Sequence, residues 1–179
     1  MGETAVDVLE REHRDLQGLF DRVRDPEEDR AAAWREVVKQ VATHVAVERT
    51  FVYPSVKRRG LGSPRLADDL RHDYKRMEHL LVLTERRKIN SPDMPELVTE
   101  LLDVFESHRE RCTSDLVPTM RKQFSQTELD DLGEKMRGAE KVILSHPHPH
   151  LLALGPIYPW TTRIAAVWDR VRDRGVQNR

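Results

Sequence analysis

Four long stretches of this chain repeat apolar residues at the spacing of an α-helix, and each stretch carries a histidine in or beside its apolar stripe. They run from about residue 4 to 24, from 27 to 59, from 64 to 89, and from just after Pro95 to 123. Alternation of the strand type is absent from the sequence. Short connections between helices of about 25 residues favour antiparallel neighbours. The sequence therefore predicts an all-α protein built on an up-down-up-down four-helix bundle.

The chain is expected to divide into the bundle, residues 1–124, and a C-terminal helical extension, residues 125–179. Ser125 or Thr127 is expected to cap a fifth helix, and a last helix is predicted from about Pro159 to Arg174. The stretch from His146 to His150 alternates histidine with proline, which predicts an extended linker. The stripe containing Trp160 and Trp168 is expected to pack against the bundle or a second copy of the chain.

Charge and apolar patterning exclude several classes of partner. Lys and Arg number 30 against 31 Asp and Glu, so the net charge is -1 and no nucleic-acid partner is expected. No apolar run approaches the roughly 20 residues of a membrane span. The first residues lack the pattern of a signal peptide, and the single cysteine suits a reducing compartment. We expect a cytoplasmic protein without a membrane partner, either a monomer or a homodimer.

Two of the predicted helices contain similar segments. HVAVERTFVYP begins at His44 and HRERCTSDLVP begins at His108, and in both a proline follows the histidine after ten residues. Pro54 and Pro118 each remove one backbone hydrogen bond from a helix. The sequence predicts a bend or a helix end near both prolines, at matching heights.

One histidine on each of four helices can build a metal site inside a bundle. His44 and Glu48 are one helical turn apart, so both side chains lie on one face. Imidazole and carboxylate ligands together suit iron, manganese or zinc.

Four short motifs in this order resemble the hemerythrin-like, or HHE cation-binding, family: EREHRDL, HVAVERTFVYP, RHDYKRMEHLL and HRERCTSDLVP. The resemblance covers about residues 4 to 120. It implies a pair of non-haem irons held by five histidines and two bridging carboxylates. His13, His44 and Glu48 match the ligands of one iron, and His72 and His108 match two ligands of the other.

The chain departs from the family pattern at two places. Arg76 stands where the family has a histidine, and Cys112 and Thr113 stand where it has a carboxylate. The second iron position is therefore incomplete, and one iron instead of two is the alternative. Arg76 is expected to point away from the metal or to pair with a carboxylate, and Cys112 could equally be a small buried apolar residue. The candidates for substitute ligands are Asp68, Asp69, Cys112 and Tyr53.

The resemblance implies reaction with small oxidants, namely O2, hydrogen peroxide or nitric oxide, in an oxidative or nitrosative stress response. Missing ligands leave coordination positions open, which favours catalase-like peroxide breakdown over oxygen storage. Two alternatives stay open. The protein could be an iron- or redox-responsive sensor or adaptor, or a metal-free helical interaction module. The sequence identifies no catalytic residue beyond the metal ligands.

Overall fold

The structure is a computed structural model that describes residues 2–85, 87 and 91–145. Within these residues every regular element is helical, as the sequence predicts. The α-helices are α1 (Ala5–Arg24), α2 (Arg30–Val47), α3 (Tyr53–Arg59), α4 (Leu66–Glu85), α5 (Met94–Arg111), α6 (Val117–Gln123) and α7 (Gln126–Ser145). The predicted linker of His146, His148 and His150 and the helix carrying Trp160 and Trp168 lie outside the described residues.

The helix boundaries follow from local capping. Thr4 and Asp7 form a reciprocal capping box at the start of α1. Asp29 accepts hydrogen bonds from two backbone amides at the start of α2, which therefore begins after the predicted residue 27. Gly60 ends α3 in the left-handed conformation, with φ of 60°. Ser125 and Glu128 form the reciprocal cap before α7, so Ser125 and not Thr127 is the capping residue.

Neither Pro54 nor Pro118 ends its helix. A π-helical turn, Glu48–Val52, joins α2 to α3, and a second, Cys112–Leu116, joins α5 to α6. In each wide turn the amide before the proline reaches back five residues instead of four, from Tyr53 to the Glu48 carbonyl and from Val117 to the Cys112 carbonyl. The predicted helix end is wrong because one wide turn absorbs the missing donor without stopping the helix.

The four rods α1, α2–α3, α4 and α5–α6 form the bundle, with α1 packed on α2 and α4 packed on α5. The core between them consists of fully buried aliphatic and aromatic side chains, among them Leu9, Leu16, Phe20, Val41, Leu70, Met77 and Phe105. No helix among the described residues is long and apolar enough to cross a membrane. The predicted domain boundary at residue 124 stays a prediction.

Helix α7 packs against α1 and α2 on the outside of this bundle. Gly133 permits the close approach, since a Cβ atom there would come within 2.5 Å of the Glu3 carbonyl oxygen. Arg137 donates a hydrogen bond to that same carbonyl. The N-terminal turn of α1 is therefore fixed against the middle of α7.

Candidate metal centre

Four potential metal ligands meet in the middle of the bundle. His13 comes from α1, His44 from α2, Glu48 from the first π-helical turn and His108 from α5, and their donor atoms all lie within 4.8 Å of one another. His108 Nε2 lies 3.1 Å from Glu48 Oε2 and 3.2 Å from His44 Nε2. Glu48 Oε1 lies 3.8 Å from His44 Nε2 and 3.9 Å from His13 Nε2. None of the four residues is more than 5% exposed.

The cluster leaves its own polar atoms without hydrogen bonds. Both carboxylate oxygens of Glu48 and the Nε2 atom of His13 are buried and have no hydrogen-bond partner of ordinary geometry. Such atoms are costly in a protein interior unless another group satisfies them. Three imidazoles and one carboxylate converging on a single point are a suitable donor set for a divalent first-row metal ion. The residues present therefore fit a bound metal.

Burial and mutual charge set the protonation of these ligands. Burial lowers the pKa of His13 well below its usual value and that of His44 to about 4, so both imidazoles are neutral at pH 7. Burial alone would raise the pKa of Glu48, but His108 and His44 outweigh it and hold that pKa well below the usual range. Contact with the Cys112 sulfur and with the Glu48 carboxylate raises the pKa of His108 against the opposing effect of burial. Without a metal, the cluster is thus a buried Glu48 carboxylate paired with a protonated His108.

Tyr74 and Cys112 lie on the α4 and α5 side of the cluster. Cys112 Sγ is 3.6 Å from His108 Nε2, and the Tyr74 ring centroid is 5.6 Å from that of His108. The buried Tyr74 hydroxyl interacts with the Glu48 carboxylate, although it forms no hydrogen bond of ordinary length to any described residue. Burial raises the pKa of both groups, and the Glu48 carboxylate adds to the increase, so both keep their protons at neutral pH. This side of the cluster offers a phenol and a thiol.

The structure places His72 outside the cluster. Its side chain is exposed, whereas the next two residues, Asp73 and Tyr74, are buried. Asp73 Oδ2 lies 3.6 Å from His108 Nδ1, and Asp73 Oδ1 accepts a hydrogen bond from Arg111. The structure does not bring the predicted ligand His72 to the cluster, because α4 turns Asp73 and Tyr74 towards the core and His72 towards solvent.

The remaining candidates are dispersed. Arg76 pairs with Glu100, which confirms the predicted pairing with a carboxylate. Asp68 is exposed and bonded to Arg71, Asp69 is half-buried, and Thr113 is exposed. Tyr53 is half-buried, with its ring 6.3 Å from that of Tyr74. Of the substitute ligands predicted from sequence, Cys112 is the one whose side chain contacts the cluster in the part of the chain that the structure describes.

Two carboxyl groups outside the cluster reach it through His44. Glu12 is buried, and its Oε2 atom lies 2.6 Å from His44 Nδ1, in a hydrogen bond that the imidazole donates when its hydrogen is on Nδ1. Glu140 of α7 lies beside Glu12 and receives two hydrogen bonds from Arg11, at 2.8 and 3.0 Å. Burial raises the pKa of Glu12 to about 7, and burial together with Glu12 raises that of Glu140 to about 7. Near neutral pH this pair shares a proton, because two adjacent carboxyl groups do not readily ionise together.

Sequence reasoning missed Glu12, Asp73 and Tyr74, although the helical period contained the signal. Glu12 lies three residues after Leu9 and four before Leu16, inside the apolar stripe of α1. Tyr74 lies four residues after Leu70 and three before Met77, inside the stripe of α4. A polar residue at a core position of a helix indicates a buried partner or a bound group. Glu140 gives the same signal, since it lies four residues after Met136 and three before Ile143, inside the apolar stripe of α7.

Comparisons with known proteins concern both the sequence and the fold. The sequence model of the hemerythrin HHE cation binding domain matches residues 4–120. An uncharacterised hemerythrin-like protein of Schizosaccharomyces pombe is 23% identical over 170 residues, which span 93% of this chain and 84% of that protein. The crystal structure of a hemerythrin HHE cation binding domain-containing protein from Mycobacterium kansasii superposes with a TM-score of 0.70. It is 19% identical in sequence, and the match covers 85% of this chain and 99% of that one, which supports the fold. The chain belongs to the hemerythrin HHE cation-binding domain family.

Proposed function

We propose that this protein binds non-haem iron through His13, His44, Glu48 and His108 and reacts with O2 or hydrogen peroxide. The observation that supports the proposal most strongly is the convergence of four buried ligand-type side chains, in which both Glu48 oxygens and His13 Nε2 lack a well-formed hydrogen bond to the described residues. A protein interior leaves such atoms bare when a ligand normally satisfies them. Iron suits a mixed imidazole and carboxylate set, and bound iron supplies the electrons for reduction of an oxidant.

The four donors are close enough together for one tightly bound ion. A second ion would share Glu48 and take its other ligands from the side of Tyr74 and Cys112. Both groups hold protons at neutral pH, because burial raises their pKa values. A second ion must displace those protons, so we expect it to bind more weakly than the first.

The protein around the cluster determines what reaches it. Phe105 is fully buried, with its ring centroid 5.9 Å from that of His13 and 6.4 Å from that of His44. This ring keeps bulk water away from one face of the cluster. On another side, the Tyr74 hydroxyl and the Cys112 thiol remain protonated and can donate hydrogen bonds to a small oxidant beside Glu48. A buried site with such donors admits diatomic molecules and peroxide more readily than larger substrates.

Peroxide breakdown is the reaction that we favour. The side chains at the second position, a phenol and a thiol, are fewer and weaker neutral ligands than imidazoles, so coordination positions stay open to peroxide. Nitric oxide is a further small ligand for the same open position. The role that we propose is protection against oxidative or nitrosative stress.

Peroxide consumption by the iron-loaded protein tests this proposal. We expect oxygen evolution from hydrogen peroxide by the wild type, and its loss in His108→Ala. His79→Ala is a matched control, since His79 is exposed on α4. Stable reversible O2 binding without peroxide turnover would support an oxygen carrier instead. An iron-loaded protein that reacts with neither oxidant would support the sensor or adaptor.

A further inference from the structure

Helix α7 lies outside the segment that the family model matches, yet one of its side chains reaches the metal centre through two others. Glu140 is bound by Arg11 through two hydrogen bonds and lies beside Glu12. Glu12 in turn accepts the hydrogen bond from His44 Nδ1. The chain of contacts therefore runs from α7, through α1, to a proposed metal ligand on α2.

The hydrogen bond from His44 to Glu12 decides which ring nitrogen is free. When Nδ1 carries the hydrogen and donates it to Glu12, Nε2 presents a lone pair to Glu48 and His108. With the hydrogen on Nε2 instead, the ring could not bind a metal from that side. A carboxylate behind a ligating histidine also fixes the orientation of its ring and strengthens it as a ligand.

Glu12 needs support of its own to stay in this position. Its second oxygen, Oε1, is buried without a hydrogen-bond partner of ordinary geometry, and a small cavity of about 60 Å³ opens beside it. Arg11, Glu140, Gln40 and Thr43 contribute to the lining of that cavity. Without Glu140, Arg11 would lose its strongest contact near the cavity, and the Glu12 side chain could turn away from His44.

We propose that Glu140 of α7 is a positioning residue for the metal centre, acting through Arg11 and Glu12 to hold His44 with its Nε2 atom facing the cluster. Gly133 lets α7 lie close to the start of α1, since a Cβ atom there would come within 2.5 Å of the Glu3 carbonyl oxygen. The proposal rests on the proposed metal binding. It gives α7 a role in a site whose ligands all belong to the four-helix bundle.

Cobalt(II) is the probe for the test, using the full chain. We expect Glu140→Ala to weaken cobalt binding by roughly 10-fold and Glu12→Gln by roughly 10- to 100-fold, as for other groups that support metal ligands. Glu134→Ala is the matched control, because Glu134 is an exposed carboxylate on the same helix. Glu140→Gln keeps the size of the side chain, so it distinguishes the loss of the carboxylate from the undocking of α7. It should show a smaller loss than Glu140→Ala.

A second measurement reports the position of the hydrogen directly. The ¹⁵N chemical shifts of His44 in the metal-free protein should show a hydrogen on Nδ1 in the wild type and in Glu134→Ala. Glu140→Ala should give a mixture of the two tautomers, and its cobalt absorption spectrum should change. If the wild type binds cobalt and Glu140→Ala shows the same affinity, the same spectrum and the same His44 tautomer, the positioning role alone is overturned. A wild type that binds neither cobalt nor iron would overturn the proposed function and the positioning role together.

Discussion

The free energy of unfolding should depend on pH through Glu12. This side chain is 6% exposed, and burial raises its pKa from 4.5 to about 7. Between these two pH values the folded protein binds more protons at Glu12 than the unfolded chain does. The contribution of Glu12 to stability is therefore fully present below about pH 4.5 and is lost as the pH rises through about 7. The difference between the two pKa values corresponds to roughly 3 kcal/mol.

Glu12→Gln removes this contribution, together with the part of the Glu140 pKa shift that Glu12 causes, because glutamine has nearly the same size and does not ionise. His13, His44 and His108 also change the pH dependence of the wild type, but they are present in both proteins. The variant should therefore gain stability relative to the wild type as the pH rises from 4.5 to 8, by up to roughly 3 kcal/mol. The weaker acceptor for His44 lowers the stability of the variant at every pH and does not produce this trend.

Urea denaturation of the metal-free proteins at several pH values measures the difference. Glu134→Gln is the control, since Glu134 is exposed on α7. The difference in the free energy of unfolding between Glu134→Gln and the wild type should stay constant across the pH range. Parallel curves for the wild type and Glu12→Gln would refute the reasoning, because they would show that Glu12 ionises in the folded protein as easily as in water.

Three further outcomes follow from the geometry of the cluster. His108→Ala should abolish tight iron binding, whereas His72→Ala should leave it intact; metal analysis after dialysis measures both. Equal losses of iron in the two variants would show that His72 is a ligand. Tyr74→Phe should change the free energy of unfolding of the metal-free protein by less than about 1 kcal/mol, since the hydroxyl forms at most a weak hydrogen bond with Glu48. A larger loss in urea denaturation would show that this hydrogen bond is strong. Metal uptake should release a proton from His108, because Cys112 and Glu48 raise the pKa of that residue. The affinity for the metal should therefore fall as the pH falls. Calorimetry in buffers of different ionisation enthalpy would detect the released proton, and a metal affinity independent of pH would contradict this prediction.

The sequence predicts the bundle well because apolar periodicity and capping residues act locally. Thr4 and Gly60 mark helix ends by the conformations that they favour, and the structure confirms both ends. The prolines are different, since a missing backbone donor is compatible with a bend, an end or a wide turn. Which of these forms depends on how the helix packs beyond the proline, and that packing is not encoded in the neighbouring residues.

The metal cluster is predictable where a single polar residue interrupts an apolar stripe, as at His13, His44 and His108. On α4 three polar or aromatic residues are consecutive, and successive residues differ by about 100° around the helix. The prediction chose His72 because histidine is a common metal ligand. Asp73, however, is seven residues from both Leu66 and Leu80 and so shares their face. Glu140 also interrupts an apolar stripe, that of α7, but its contact with Glu12 depends on how α7 packs on α1, which the local pattern does not specify.

Metal content per chain decides most directly whether the buried cluster is a metal centre. Protein purified from cells supplied with iron should carry at least one iron per chain, and Glu48→Ala prepared in parallel should carry almost none. Glu134→Ala should match the wild type, since its carboxylate is exposed and distant from the cluster residues in sequence. Wild-type protein that carries no iron, or a Glu48→Ala variant that retains as much as the wild type, would contradict metal binding by His13, His44, Glu48 and His108.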